Sequence, residues 1–88
     1  MLTELSNSNI QVGVKQTLKA INKGIVLKLF VALDADPSVT EAPLKKCEEL
    51  GIEIEKVPTS SELGRACNIK IAASMAVSVK YKGFIHLI

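Results

Sequence analysis

Aromatic residues are scarce in this chain of 88 residues, which has one Tyr, two Phe and no Trp. Because 48% of the residues are nevertheless hydrophobic, the core must be built mainly from Ile, Val, Leu and Ala. Such a core suits helices layered against a sheet. A chain of this length supplies one hydrophobic core and is too short for a separate catalytic domain, so we expect residues 1–88 to form a single domain.

Long apolar runs and cysteine motifs are also missing. No run approaches the roughly 20 apolar residues that a membrane helix requires, and residues 1–9 lack the basic start and apolar centre of a secretory signal. We therefore expect a soluble, cytoplasmic protein with no membrane partner. Cys47 and Cys67 have no motif spacing, and we expect two buried free thiols rather than a disulfide.

The chain has little of what catalysis requires. His86 is the only histidine and lies among apolar residues at the C-terminus, and no Ser or Cys has a local partner motif. No further metal-ligating residues lie at a useful spacing from Asp34 and Asp36, so we expect these two residues to form capping hydrogen bonds at the end of a strand rather than to hold a metal. Glycine-rich phosphate loops are absent. The sequence thus predicts neither an enzyme nor a cofactor.

Charge is unevenly distributed, although the net charge is only +2. Residues 1–33 carry four lysines and one acid, residues 34–62 carry eight acids and three lysines, and residues 63–88 carry four cations and no acid. If the two basic segments meet in space, they form one cationic face opposite an acidic one. The alternative is an ordinary solvated surface.

Turn and cap residues divide the chain into seven elements. The pattern predicts, in order, strand 9–12, helix 14–23, strand 28–33, helix 37–50, strand 52–57, helix 60–67 and strand 71–79. The unbroken apolar run at 29–33 predicts a strand covered on both faces, and strand-helix-strand order implies a parallel crossover. We therefore predict an α/β fold, a three-layer α-β-α sandwich with a mixed sheet of about four strands.

Several polar and proline residues predict where the helices begin and end. Asp36 is the expected cap of the second helix, and Pro43 within that helix predicts a distortion or a restart near Ala42. Thr59 has the capping-box spacing for the third helix. Asn68 suits a left-handed residue at the end of that helix.

The start of the first helix carries lysines and a glutamine, side chains that can bind phosphates and the edges of bases. A helix N-terminus offers unpaired amides and the positive end of a dipole to phosphate. Lys15 and Lys19 lie one turn apart on one face, and Gln16 beside them can donate and accept hydrogen bonds at a base edge. This segment predicts nucleic-acid recognition, although any amphipathic helix also displays a solvated polar face.

A second candidate segment follows the third helix. Arg65 and Lys70 surround a predicted connection, and Ile69 and Ile71 lie on either side of the point where that connection becomes a strand. The segment could contact a ligand. The alternative is a simple helix stop that places Ile69 in the core.

Three motifs in order resemble the kink-turn RNA-binding ribosomal proteins, the L7Ae and L30e group. They are Gly13-Val14-Lys15-Gln16-Thr17-Leu18-Lys19-Ala20, Asp34-Ala35-Asp36-Pro37 after an apolar strand, and Leu63-Gly64-Arg65-Ala66-Cys67-Asn68-Ile69 before an Ala-rich strand. The resemblance covers almost all of residues 13–79, and the Lys15-Gln16 pair is most similar to the small bacterial members. It implies an α-β-α sandwich that grips RNA bent sharply at a bulge followed by sheared G·A pairs.

The resemblance also implies roles for residues at the first helix. Lys15 and Gln16 would face the guanine edges of the G·A pairs, and Lys19 would contact nearby bases or backbone. Gly13 would let the chain approach the RNA closely. The implied partner is RNA containing a kink-turn, in ribosomal RNA or a structured regulatory RNA, bound by a monomer.

At the second segment, the resemblance implies that Arg65 contacts a phosphate. The connection would lie against the unstacked bulge nucleotides through Ala66, Asn68, Ile69, Lys70 and Ile71. Where the family usually has Gly-Ile-Glu, this chain has Asn68-Ile69-Lys70. Asn tolerates the left-handed turn, whereas Lys70 is expected to strengthen general phosphate binding at the expense of discrimination.

A competing interpretation is that the chain has the same fold but has lost specific RNA binding. The chain would then be a protein-interaction module that uses the apolar tail, residues 81–88, as its contact surface. A flat salt dependence of RNA binding together with dimerisation in solution would favour it.

Overall fold

Strands and helices alternate along the chain in the computed structural model, which describes residues 9–80. The elements are β1 (Ile10–Val12), α1 (Val14–Lys23), β2 (Val26–Ala32), α2 (Pro37–Leu50), β3 (Glu53–Val57), α3 (Ser60–Ala66) and β4 (Met75–Val79). All seven predicted elements are present, and α1 has the predicted bounds. The apolar tail, residues 81–88, lies outside the described residues.

The four strands form one mixed sheet in the order β1-β4-β2-β3. Strands β2 and β3 pair in parallel, as predicted, and β4 pairs antiparallel with both β1 and β2. Strand β2 is therefore interior, and its consecutive apolar residues from Leu29 to Ala32 are all buried. The predicted coverage on both faces is confirmed for these four residues, whereas Leu33, which the prediction included, lies beyond the end of the strand and is 61% exposed.

The helices form a layer on each face of the sheet. Successive side chains of β4 point to opposite faces of the sheet. Met75 and Val77 belong to a first core, between the sheet and helices α1 and α2, and Ala76 belongs to a second core, between the sheet and α3. The first core also contains Ala20, Ile21, Val26, Leu29, Val31, Cys47 and Val79, and the second contains Phe30, Ala32, Val57, Leu63, Cys67 and Ala73. The three-layer α-β-α sandwich is confirmed.

Local capping chemistry accounts for the helix boundaries. Asp36 accepts a hydrogen bond from the Ser38 N–H at 3.0 Å, and Thr59 Oγ1 accepts one from the Glu62 N–H at 3.1 Å. Asn68 adopts the predicted left-handed conformation with φ of 65°. Each cap residue predicted from the sequence is confirmed.

Two predicted boundaries within the elements are wrong. Helix α2 has no restart near Ala42 and continues through Pro43, whose ring is buried, since a proline removes one backbone hydrogen bond without necessarily ending a helix. Strand β4 begins at Met75 rather than Ile71. The residues before Met75 are attached to α3 instead, because the Ala73 N–H donates a hydrogen bond to the Ser60 carbonyl at 3.0 Å.

The cysteines are both free and buried, as predicted, and burial raises the pKa of each thiol. Cys47 belongs to the first core and Cys67 to the second. Between residues 9 and 80, no helix has the length and apolar character needed to cross a membrane. Over the same part of the chain, His, Cys, Asp and Glu form no group of three that could hold a metal ion.

Candidate nucleic-acid interface

Both candidate segments lie at one edge of the sheet. Strands β1, β2 and β3 run in the same direction and β4 runs against them, so three strand ends and the start of β4 share this edge. We call it the carboxyl edge. Because each helix follows one of these three strands, all three helices begin at the carboxyl edge.

Gly13 makes the turn between β1 and α1 at this edge. Its φ of 101° and ψ of 160° belong to a region that is essentially restricted to glycine. Its N–H donates to the Met75 carbonyl at 2.9 Å, which ties the start of α1 to the start of β4. A Cβ atom added here would meet no heavy atom within 4 Å, so the backbone faces open space.

Helix α1 presents a polar, basic face beside this turn. Thr17, Ala20 and Ile21 are buried, whereas Lys15, Gln16 and Lys19 are all exposed. Gln16 and Lys19 line a small depression of about 50 Å³, together with Gln11, Ala20, Lys23 and Ile25. The first turn of the helix contains no acidic residue, so nothing in that turn opposes an anionic ligand.

The start of α1 differs chemically from the starts of the other two helices. Asp36 caps α2, and the N–H and hydroxyl of Ser38 that bond to this carboxylate hold its pKa below the ordinary value. Helix α3 is capped by Thr59. Gly13 gives α1 no side-chain cap, so the amides of its first turn are left for water or a ligand.

The second segment forms the α3–β4 loop, residues 67–74, and an adjoining groove. The groove has a volume of about 380 Å³ and is lined by Ser61, Arg65, Ile69, Lys70, Ile71 and Ala72. Ile71 is 74% exposed, although it is a large apolar residue. Arg65 and Lys70 are exposed beside it. The groove thus combines two cations with an apolar surface, a combination that suits an unstacked base and its phosphate.

The remaining predicted residues of this segment are placed differently. Ala66 and Ile69 are half-buried and pack against the second core. Ile69 therefore fits its core alternative in part, while it also lines the groove. Exposed Asn68 supplies the left-handed turn that redirects the chain into the loop.

Lys28 does not contribute to a cationic face at the carboxyl edge. Its ammonium group lies 2.9 Å from Glu55 and 3.5 Å from Glu53, near the opposite edge where β2 begins. The hydrogen bond and charge of Lys28 hold the pKa of Glu55 below the ordinary value. The exposed cations Lys15 and Lys19 of α1, and Arg65 and Lys70 of the groove, are accessible to a ligand instead.

Two residues important for this site were missed by sequence reasoning. The sequence predicts a capping role for Asp34 but not its partner, which is the N–H of Ser60 at the start of α3. Gly64 lies in the middle of α3, where its lack of a side chain admits the backbone of Ile71. A glycine inside a predicted helix is the only sequence signal of that close approach.

Comparisons with known proteins find similar chains across most of this sequence. The model of the ribosomal protein L7Ae/L30e/S12e/Gadd45 family matches residues 2–88. The chain is 43% identical over 68 residues to an RNA-binding protein of Caldanaerobacter subterraneus, covering 77% of this chain and 83% of the relative. It is 35% identical over 69 residues to an RNA-binding protein of a Geobacillus species, covering 78% and 84%. A solved structure, the Giardia lamblia 15.5kD RNA binding protein, is similar with a TM-score of 0.77 and 31% identity, over 91% of this chain and 69% of that one.

Proposed function

The chain belongs to the ribosomal protein L7Ae/L30e/S12e/Gadd45 family, and on that basis we propose that it is a non-enzymatic RNA-binding protein that recognises and stabilises kinked RNA. The target would be a kink-turn in ribosomal RNA or in a structured regulatory RNA. The observation that supports the proposal is that two chemically different candidate surfaces lie at one edge of the sheet. One is the uncapped start of α1, and the other is the groove beside the α3–β4 loop.

The two surfaces suit different parts of a bent RNA. Lys15, Gln16 and Lys19 offer donors and an acceptor to base edges and phosphates. The exposed Ile71 and the half-buried Ile69 in the groove suit nucleotides that have left the stack at a bulge. A straight duplex keeps its bases stacked, so it would engage the cations and leave the apolar part of the groove unused.

The mechanism follows as a population shift. Kink-turn RNA without protein samples open and bent shapes. A protein that makes all its contacts only with the bent shape moves this equilibrium by its differential affinity for the two shapes. No bond in the RNA needs to be made or broken.

Gln16→Ala tests base-edge recognition at the start of α1. We expect a loss of about 1 to 3 kcal/mol in binding to kinked RNA, by analogy with bidentate base contacts in DNA, and little loss with plain duplex. The measurement is a titration of both RNAs at one salt concentration. Asn22→Ala is the matched control, since Asn22 is an exposed amide at the other end of α1. An equal loss on both RNAs would reject specific recognition by Gln16.

A further inference from the structure

The α3–β4 loop is held in place by a residue that precedes it by more than thirty positions in the printed sequence. Asp34 Oδ1 accepts a hydrogen bond from the Ser60 N–H at 2.8 Å, across 26 residues of chain. The carbonyl of Ser60 in turn accepts a hydrogen bond from the Ala73 N–H at 3.0 Å. The first residue of α3 therefore joins the end of β2 to the end of the loop.

Gly64 fixes the other side of the same loop. Its carbonyl accepts a hydrogen bond from the Ile69 N–H at 3.1 Å. A Cβ atom on Gly64 would overlap the Ile71 carbonyl oxygen, and it would lie 3.1 Å from the Ile71 carbonyl carbon and 3.3 Å from Ala72 Cα. These are backbone atoms, which cannot rotate away as a flexible side chain can. A larger residue at position 64 must therefore displace the loop from α3.

The groove-lining residues of the loop lie between these two attachments. A hydrogen bond to Gly64 attaches Ile69 to α3. A hydrogen bond to Ser60, which is itself bonded to Asp34, attaches Ala73. Lys70 and Ile71 therefore lie between two fixed positions of the loop. We propose that Asp34 and Gly64 are positioning residues that set the preference for kinked RNA without contacting it. This inference rests on the proposed function.

The physical reason is that a bent RNA must meet α1 and the loop simultaneously. Residues that already have their bound positions before the RNA arrives lose less conformational entropy on binding. Plain duplex depends chiefly on the cations, whose long-range attraction changes little with a small loop displacement. Loss of either positioning residue should therefore reduce the preference for the kink, and its effect on duplex binding should be no larger than that of its charge alone.

The first test uses the full chain without RNA. We expect Asp34→Ala to accelerate hydrogen exchange of the Ala73 amide by about tenfold, and Asp34→Asn to stay within about twofold of the unmodified protein because its amide oxygen still accepts. Asp36→Ala is the matched control, since it removes the same charge and a cap from α2 instead of α3. Unchanged exchange at Ala73 in Asp34→Ala would overturn the positioning role.

The second test measures affinity for kinked RNA and for plain duplex at several salt concentrations. We expect Asp34→Ala to bind kinked RNA roughly fivefold to tenfold more weakly than Asp34→Asn, which removes the same charge, while these two variants share one duplex affinity and salt slope. Gly64→Ala, which changes no charge, should lose as much on kinked RNA and leave duplex binding unchanged. Equal losses on both RNAs, or an Asp34→Asn variant as weak as Asp34→Ala, would contradict the inference.

The two tests also separate this inference from the proposed function. If the unmodified protein shows no preference for kinked RNA, the proposed function fails, whereas the exchange of the Ala73 amide still reports whether Asp34 holds the loop. Asp34→Ala removes one exposed hydrogen bond, so this variant carries the test if Gly64→Ala does not fold. Normal Ala73 exchange in Asp34→Ala then overturns the positioning role, and accelerated exchange supports it.

Discussion

At the scale of single residues, Lys70 is the groove residue whose charge has the clearest chemical consequence. It is exposed and lines the groove beside Arg65, Ile69 and Ile71. A lysine there adds attraction for any phosphate, bent or straight. It should therefore raise affinity for RNA in general more than it raises discrimination.

Lys70→Glu is predicted to weaken binding to plain duplex RNA. The salt dependence of duplex binding should become shallower by about one unit or slightly more, because a phosphate contact is lost and an acid is added. The measurement is a salt series of duplex titrations, with Lys46→Glu on the exposed surface of α2 as the control. Duplex affinity that does not change in Lys70→Glu would count against a role for Lys70.

Residue roles that depend on neighbours in sequence were predictable, and roles that depend on distant contacts were not. Asp36 and Thr59 cap helices within three residues of themselves, so spacing alone identified them. The bond from Asp34 to Ser60 and the approach of Ile71 to Gly64 exist only after the sheet has formed. A single sequence contains no pattern that pairs such positions.

At the scale of elements, the turn from β1 into α1 shapes the first candidate surface. Gly13 has a backbone conformation that other residues reach only with strain, and its N–H is bonded to the start of β4. Since open space surrounds the position of a Cβ atom, a substitution here is penalised by the backbone rather than by a clash.

Gly13→Ala is accordingly predicted to lower the free energy of unfolding by about 1 to 3 kcal/mol. Urea unfolding of the variant and the unmodified protein provides the measurement. Gly24→Ala is the control for a left-handed glycine, with φ of 70°, at the far end of the same helix, and it should cost less. A neutral Gly13→Ala variant would show that the turn at α1 is not constrained as described.

The elements themselves were largely predictable because their periodicity and caps agree. The helix α1 and the parallel pair β2 and β3 match the prediction. The beginning of β4 was missed because the large-small alternation extends back to Ile71, whereas the chain before Met75 forms hydrogen bonds with α3. Tertiary contacts of this kind override a local period.

At the scale of the whole molecule, two carboxylates link stability to pH. The pKa values of Asp36 and Glu55 are both lowered, the first by the N–H and hydroxyl of Ser38 and the second by Lys28. A carboxyl group whose pKa is lower in the folded than in the unfolded protein stabilises the fold at pH values above the unfolded pKa, which is about 4. This stabilisation is lost as the pH falls through the pKa of the folded protein. Stability should therefore decrease on acidification below about pH 4.

The Glu55→Gln variant is predicted to reduce that acid sensitivity. Glutamine keeps an acceptor for Lys28 and does not titrate, so the contribution of this site to the pH dependence should disappear. The measurement is the free energy of unfolding from urea titrations between about pH 3 and pH 7. A pH profile identical to that of the unmodified protein would exclude Glu55 as a source of the acid sensitivity.

Recognition of the kink itself is tested by one titration of the unmodified chain. A kink-turn RNA and the same RNA with its G·A pairs replaced by Watson-Crick pairs are compared in a gel-shift titration at near-physiological salt. We predict a preference for the intact kink of about tenfold or more, which corresponds to about 1.4 kcal/mol. Equal affinity for the two RNAs would contradict specific recognition and leave only a weakly basic surface.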